Sequence, residues 1–205
     1  MTQETTVLPT PEGAAKATPD RGPLTRSVII KAALELLDEV GFDKLTTRRI
    51  GDQLGVEGPA LYRHFPSKAA LLDHMAAALL LPVIRQPRAD EQWDDWLRAT
   101  ARASFAAAMS HRDGARLIAA SLPIEPLDLI SKPLHDAGFS ADQALFASKF
   151  ITRLMVGWQL HEESERQRSD RSPEDYDHCE AFEFALDVMI EGLRLKLDQG
   201  GRSDA

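Results

Sequence analysis

The chain has 205 residues, a formal net charge of −8 and 43% hydrophobic residues, enough for one large domain or a small domain followed by a larger one. Its only cysteine, Cys179, excludes an intrachain disulfide and disfavours a cysteine-ligated metal site. No apolar run approaches the roughly 18–20 residues of a membrane-spanning helix, and no secretion signal opens the chain, so we expect a cytoplasmic protein with no membrane partner.

The charge is distributed unevenly along the chain. Residues 21–68 carry eight Lys/Arg and six Asp/Glu, which gives this segment a net charge of +2 within an acidic total. Because local charge governs contact with phosphate, the acidic total does not exclude nucleic-acid binding by this segment.

The first predicted helix follows a segment, residues 1–23, that is rich in Thr, Pro, Ala and Gly and has no periodicity. This composition predicts a disordered tail. Thr25 is the predicted N-cap of the helix, and apolar residues then recur at helical spacing until Gly41, which ends it.

Three further helices are predicted before residue 84. Thr46 caps one over residues 47–53, and Gly55 makes the turn that follows. The next helix is short and has Pro59 in its first turn, where a missing N–H costs nothing. Ser67 caps a longer, apolar helix that ends near residues 82–87.

The second half also shows helical patterns. "QWDDWLRATARASFAAAM" is amphipathic, a short helix is predicted over residues 127–137, and Ser140–Gln143 is a capping box that opens a long helix. The charged stretch 162–171 is interpreted as a loop or an exposed helix end, and "SPED" at residues 172–175 caps the last helix. Because no strand alternation of useful length occurs, the predicted fold class is all-α.

Two short helices joined at Gly55 behind a longer helix are typical of a helix-turn-helix, in which the second helix lies in the major groove of DNA. Leu61 and Phe65, four residues apart, can hold this second helix to the helices behind it. Tyr62, Arg63 and His64 then face away, towards phosphates or base edges.

The order of residues here is more specific than the helix-turn-helix pattern. "LTTRRIGDQLGVEGPALYRHFPSKAALL" resembles the DNA-binding region of the tetracycline-repressor family of transcriptional regulators. "HRDGARLIAASLP" and "GFSADQALFASKFITRLMVGWQLHEESE" are similar to the C-terminal core of its tetracycline-repressor subclass. The resemblance implies a three-helix DNA-binding domain, residues 24–84, followed by a larger helical ligand-binding and dimerisation domain, residues 85–205.

The resemblance also implies which residues contact a double-stranded DNA operator. Arg48 is the candidate for bidentate guanine readout, and Lys68 for a phosphate contact. Gly58 and Ala60 stand where the tetracycline repressor carries polar side chains, so we expect a different operator sequence. The full set of predicted DNA contacts is Thr47, Arg48, Gly58, Pro59, Ala60, Tyr62, Arg63, His64 and Lys68.

The family's C-terminal half dimerises and holds a ligand. The resemblance implies a homodimer built on the long helix and the last helix, which places two reading helices about 34–36 Å apart. It also implies a small-molecule pocket between segments 75–84, 93–109, 115–122 and 141–161. The residues predicted to line this pocket are Ile84, Trp96, Thr100, Ser104, Ile118, Ser121, Leu122, Arg153, Trp158 and His161.

The chemistry of this predicted pocket is apolar. Ile84, Ile118 and Leu122 replace two histidines and an arginine of the tetracycline repressor, and aliphatic side chains cannot ligate a metal chelate. We therefore expect a largely apolar effector other than Mg-tetracycline, and neither a cofactor nor a metal site. Arg153 and His161 are the polar candidates, although a histidine near a helix end is more often simply solvated.

Two other function classes are alternatives to a ligand-responsive repressor. An enzyme is disfavoured because the sequence lacks a Gly-rich phosphate loop, a G-x-S-x-G and an H-E-x-x-H, and "HEESE" at residues 161–165 lacks the second histidine. The remaining alternative is a helix-turn-helix protein without a small-molecule effector, controlled by a protein partner. An enclosed cavity of a few hundred Å³ in the C-terminal half would discriminate between the two.

Overall fold

The computed structural model describes residues 23–122, 128–168 and 177–200. Within these ranges the chain is helical and contains no strand, which confirms the all-α prediction, and no helix there is long and apolar enough to cross a bilayer. The predicted tail, apart from Pro23, and the predicted "SPED" cap lie outside the described residues. The elements are α1 Arg26–Val40, a 3-10 turn Phe42–Lys44, α2 Thr47–Leu54, α3 Gly58–Tyr62, α4 Lys68–Leu80, α5 Trp93–Met109, α6 Gly114–Ala119, α7 Asp128–Asp136, α8 Ala141–Gln167 and α9 His178–Gly200.

Four helices begin at the capping residues that the sequence predicts. Thr25, Thr46 and Ser67 each accept a hydrogen bond from a backbone N–H three residues later, at 3.3, 3.3 and 3.1 Å. The Ser140–Gln143 capping box is complete, with hydrogen bonds in both directions. Because these caps satisfy otherwise unpaired N–H groups, they fix where α1, α2, α4 and α8 start.

Helices α1 to α4 share one hydrophobic core. Ile29 and Leu37 of α1, Ile50 of α2 and Met75 of α4 are almost fully buried in it. Leu117 of α6 is also fully buried in this core, although it lies 37 residues after the end of α4. The N-terminal helices are therefore packed directly onto α6.

A second core forms between α5, α7, α8 and α9. Trp96 of α5, Leu134 of α7, Ile151 of α8 and Ile190 of α9 are among its buried members. Burying such large apolar side chains stabilises the fold by about 1.5–3 kcal/mol each. This core holds α8 and α9 together and leaves one face of each exposed.

The interpretation of residues 162–171 as a loop or an exposed helix end is wrong for its first part. Residues 162–167 continue α8, and the side chains of Glu162 and Glu163 are only 4% and 7% exposed. The charged composition suggested solvent, but ion pairs and hydrogen bonds with neighbouring helices allow both carboxylates to be buried.

Candidate nucleic-acid interface and interdomain junction

The turn between α2 and α3 depends on two glycines. Gly55 has a φ of +67°, the left-handed conformation that ends α2. The backbone N–H of Val56 donates to the carbonyl oxygen of Gly51 at 2.9 Å, and a Cβ on Gly51 would lie only 2.8 Å from the carbonyl oxygen of Val56. The sequence pattern indicated the role of Gly55, but the close approach at Gly51 becomes visible only in the structure.

The short α3 buries one edge and exposes the other. Leu61 and the following Phe65 are each 2% exposed, as their spacing predicts, and they anchor α3 to the helices behind it. Tyr62 is 51% exposed, and Arg63 also faces solvent. The polar groups of α3 are thus available to a ligand outside the protein.

The exposed edge of α3 is tied to the first turn of α2. The hydroxyl oxygens of Thr47 and Tyr62 lie 3.4 Å apart, and Arg48, the next residue of α2, is exposed. Lys68 is exposed at the start of α4, where its ammonium lies 5.9 Å from the centroid of the Phe42 ring. The predicted contacts therefore lie on α2, on α3 and at the start of α4, on neighbouring elements.

Smaller and half-buried residues complete this surface. Pro59 is exposed at the start of α3, and a Cβ added at Gly58 would meet no atom within 4 Å. Ala60 and His64 are half-buried. Gly58 therefore opens space beside α3 rather than filling it, and the backbone can come close to a partner there.

Arg26 supports this surface and was not predicted from the sequence. Its Nε donates to the carbonyl oxygen of His64 at 3.2 Å, and its guanidinium lies 5.8 Å from the centroid of the Phe65 ring. This contact fixes the end of α3 against α1. The only sequence signal for Arg26 is a basic residue one position after an N-cap. That pattern is too common to predict a supporting role.

A buried carboxylate joins the N-terminal helices to the rest of the chain. Asp113, just before α6, is 5% exposed and accepts hydrogen bonds from the backbone N–H of Phe42 and from the side-chain amide of Gln167, both at 2.8 Å. Burial opposes ionisation of Asp113, but these two hydrogen bonds and the nearby Arg116 hold its pKa below the usual value. Asp113 thus links the 3-10 turn, α6 and α8.

Arg116 and Glu163 extend this junction. The guanidinium of Arg116 forms two hydrogen bonds with the carboxylate of Asp43, at 2.7 and 3.1 Å, and lies over the Phe42 ring. The backbone N–H of Arg116 donates to the carboxylate of Glu163 at 3.3 Å. Burial, reinforced by the charge of Asp113, raises the pKa of Glu163 above its usual range.

A second link connects the end of α6 to α4. The hydroxyl of Ser121 lies 2.6 Å from the carbonyl oxygen of Leu117 and 3.1 Å from that of Leu72, in α4. The backbone N–H of Leu122 donates to the carboxylate of Asp73, also in α4, at 2.7 Å. Two of the predicted pocket residues therefore contact the helix that starts behind α3.

The predicted pocket residues on α5 lie inside the second core. Trp96 is fully buried, and its indole N–H donates to the carbonyl oxygen of Arg85 at 2.7 Å. Thr100 is 4% exposed, and its hydroxyl has no hydrogen-bond partner among the described residues. Ser104 is half-buried. The hydroxyl of Thr100 is the polar group in this set that a bound ligand could satisfy.

The other predicted pocket residues are spread over a larger region. Ile84 is half-buried, while Ile118 packs against the N-terminal core. Leu122 is 76% exposed. Arg153 faces solvent and donates to a carbonyl oxygen of its own helix, and the exposed His161 pairs with Glu165 at 3.1 Å.

The ten residues therefore do not gather around the open groove that lies between α8 and α9. It has a volume of about 1100 Å³, and Trp158 is the one predicted pocket residue in its lining. Trp158 also packs edge-on against Phe182. Its position agrees with packing at least as well as with ligand contact.

Large apolar side chains line this groove and face solvent. Phe146 and Phe150 of α8 are 65% and 52% exposed, and Phe184 and Val188 of α9 are 70% and 56% exposed. We name these four residues the apolar face. Contiguous exposed apolar surface of this kind is typical of a protein–protein interface.

A helix-turn-helix with an exposed polar edge, joined to a helical core with an apolar face, defines the class of helical DNA-binding regulators. Within this class, residues 29–75 match the family described as "Bacterial regulatory proteins, tetR family", and residues 86–179 match "Tetracyclin repressor-like, C-terminal domain". The chain belongs to the tetR family. It is accordingly a DNA-binding transcriptional repressor and not an enzyme.

Curated relatives are similar over most of their length. The class C tetracycline repressor protein of Escherichia coli is 40% identical over 181 residues, which cover 82% of this chain and 83% of the relative. The class A tetracycline repressor protein from transposon 1721, also of Escherichia coli, is 38% identical over 195 residues, covering 83% and 90%.

Solved structures share the fold. A TetR variant from Acinetobacter baumannii AYE in complex with minocycline has a TM-score of 0.75 at 36% identity, covering 85% of this chain and 99% of that one. BioQ with its double-stranded DNA operator has a TM-score of 0.70 at 29% identity, covering 83% and 98%.

Proposed function

We propose that two copies of this chain bind a palindromic operator and are released from it by a small, largely apolar effector other than Mg-tetracycline. The observation that carries this proposal is the double attachment of α6. Asp113 and Ser121, at its two ends, hydrogen-bond to the 3-10 turn and to α4, respectively. A ligand that displaces α6 therefore acts on the helices that present α3.

The DNA-reading surface in this proposal comprises the nine residues predicted from the sequence. Arg48, exposed on α2, reads a guanine, and Tyr62 and Arg63 contact phosphate or base edges from α3. Lys68 binds a phosphate at the start of α4. Ala60 can touch a thymine methyl but cannot donate a hydrogen bond from its side chain. The operator therefore differs from that of the tetracycline repressors.

The dimer in this proposal forms through α8 and α9. A second copy would cover the apolar face, because exposing four large apolar side chains to water is unfavourable. A symmetric pair of chains presents two α3 helices about 34–36 Å apart, one turn of DNA, which requires a palindromic operator. BioQ with its DNA operator shows that a protein of this fold binds duplex DNA.

The effector in this proposal is apolar because of three side chains. Ile84, Ile118 and Leu122 offer no oxygen or nitrogen to a magnesium chelate, whereas a TetR variant of the same fold is known with minocycline. Ile118 packs against the N-terminal core, next to Leu117, which is buried in it. A ligand contacting Ile118 would therefore be coupled to the DNA-binding helices.

Fluorescence anisotropy with the native promoter fragment tests the proposal. The full chain should bind the fragment with nanomolar-range affinity, and a lipophilic compound found by thermal-shift screening should weaken this affinity by roughly 5–150-fold, the range of typical allosteric coupling. Tetracycline with magnesium is the matched control and should leave it unchanged. Release by Mg-tetracycline would contradict the effector proposal, and unchanged affinity with every compound that binds would contradict the coupling.

A protein-controlled regulator without a small effector is the second candidate. The scatter of the predicted pocket residues favours it, since only one of the ten lines the groove between α8 and α9. The same screen discriminates the two functions. In the dimer, the apolar face is already covered by the partner copy. Compounds that bind this dimer and alter its operator affinity support the small-molecule effector.

A further inference from the structure

A cluster of metal-binding side chains lies where α8 ends and α9 begins. Glu162 and Glu165 come from the last turns of α8, and His178 is the first residue of α9. One potential ligand atom from each of the three lies within 4.8 Å of the others. Nδ1 of His178 is 3.1 Å from a carboxylate oxygen of Glu162 and 3.9 Å from one of Glu165.

Glu162 is the buried member of this cluster. Its side chain is 4% exposed, and its Oε1 makes no hydrogen bond with the described residues, although the guanidinium of Arg166 lies 3.3 Å away. A buried carboxylate is costly unless cations and hydrogen bonds satisfy both of its oxygens. The cluster thus brings together two carboxylates and one imidazole, which are donor types that zinc accepts in proteins.

We propose that Glu162, Glu165 and His178 bind a divalent transition-metal ion of the Zn²⁺ type. Zinc takes carboxylate oxygens at about 2.0–2.2 Å and imidazole nitrogens at about 2.0–2.1 Å in tetrahedral geometry, which separates neighbouring ligands by roughly 3.4 Å. The observed separations of 3.1 and 3.9 Å lie on either side of this value. Only small side-chain rotations are needed to place an ion between them.

His161 neighbours this cluster but lies outside the group of three whose ligand atoms are within 4.8 Å of one another. It lies four residues before Glu165 on α8, and its Nδ1 is 3.1 Å from a carboxylate oxygen of Glu165. Because imidazole favours zinc, nickel and copper over magnesium and calcium, this donor set selects a transition metal. The sequence has no H-E-x-x-H here, and the missing second histidine is supplied from α9 by the fold.

None of the three proposed ligands is among the ten predicted effector positions. Ile84, Ile118 and Leu122 do not belong to the proposed site. An ion held by α8 and α9 would instead join the two helices that carry the apolar face. The bound metal is therefore expected to stabilise the folded chain, and its binding can be measured without DNA or effector.

The test uses the full chain, freed of any histidine tag and treated with EDTA. Isothermal titration with Zn²⁺ should give one ion per chain, Co²⁺ should give the visible absorption of a tetrahedral site, and Zn²⁺ should raise Tm. Glu162→Gln and His178→Asn should each weaken Zn²⁺ binding by at least about 10–100-fold. Asp198→Asn, an equal charge change at the exposed far end of α9, should bind Zn²⁺ like the wild type.

Circular dichroism should show the native helical content for each variant. If Glu162→Gln or His178→Asn loses it, Glu165→Gln, at a half-buried position, replaces that variant in the titration. Absence of stoichiometric Zn²⁺ and Co²⁺ binding by the wild type would show that the cluster is an ion-pair network only. Equal Zn²⁺ affinity of the wild type and the folded variants would likewise overturn the proposal.

Discussion

The carboxylate of Asp113 accepts a hydrogen bond of 2.8 Å from the backbone N–H of Phe42, 71 residues earlier in the chain. Asp113 has a φ of +55°, so its side chain leaves the backbone in an unusual direction just before α6. The amide of Gln167 occupies its other oxygen. One side chain thereby connects the DNA-binding helices, α6 and the end of α8.

Asp113→Ala should lower the free energy of unfolding by about 2–4 kcal/mol, because it leaves the Phe42 N–H and the Gln167 amide without their acceptor. Urea denaturation measures this loss. Asp113→Asn is the matched control, since asparagine tolerates the left-handed conformation and keeps one acceptor oxygen, and it should lose less. Equal stability of Asp113→Ala and the wild type would show that this contact is dispensable.

The raised pKa of Glu163 predicts a pH dependence of stability. Burial keeps its proton bound in the folded state to a higher pH than in the unfolded chain, where the ordinary pKa of 4.5 applies. Between these two pKa values the folded state binds more protons, so the free energy of unfolding falls as pH rises through that interval. Glu163→Gln cannot ionise, and its stability should fall less over the same interval.

Urea denaturation at several pH values above 4.5 measures this difference between Glu163→Gln and the wild type. Glu39→Gln, at an exposed position of α1, is the control for the loss of one carboxylate and should follow the wild type. Parallel pH profiles of Glu163→Gln and the wild type would contradict the predicted direction of the Glu163 pKa.

Local signals in the sequence predicted much of the fold. The N-caps at Thr25, Thr46 and Ser67 were correct because each depends on residues within three positions. The Asp113 contact with Phe42 was not predictable, since nothing in either segment indicates a partner 71 residues away. Burial of Glu162 was missed for the same reason, because one of its partners, His178, comes from α9.

Arg48→Ala should weaken operator binding by about 1–3 kcal/mol, roughly 5–150-fold, because it removes the proposed bidentate contact with guanine. Anisotropy titration with the native operator measures the loss. Lys31→Ala on α1 is the control. It removes one positive charge from an exposed pair with Glu35 and should change affinity much less. Unchanged binding by Arg48→Ala would remove Arg48 from the proposed readout.

Phe184→Glu should convert the dimer to a monomer, because it places a charge in the middle of the apolar face that a second copy is proposed to cover. Phe184 is 70% exposed in the single chain, so the substitution costs little stability within one protomer, whereas burying an unpaired carboxylate at an interface is strongly unfavourable. Light scattering after gel filtration measures the mass in solution. Leu81→Glu introduces the same charge at an exposed apolar position after α4 and should remain dimeric.

Since two reading helices must act together, Phe184→Glu should also lose affinity for a full palindrome but not for a half-site. A dimeric Phe184→Glu protein would exclude the apolar face as the dimer interface.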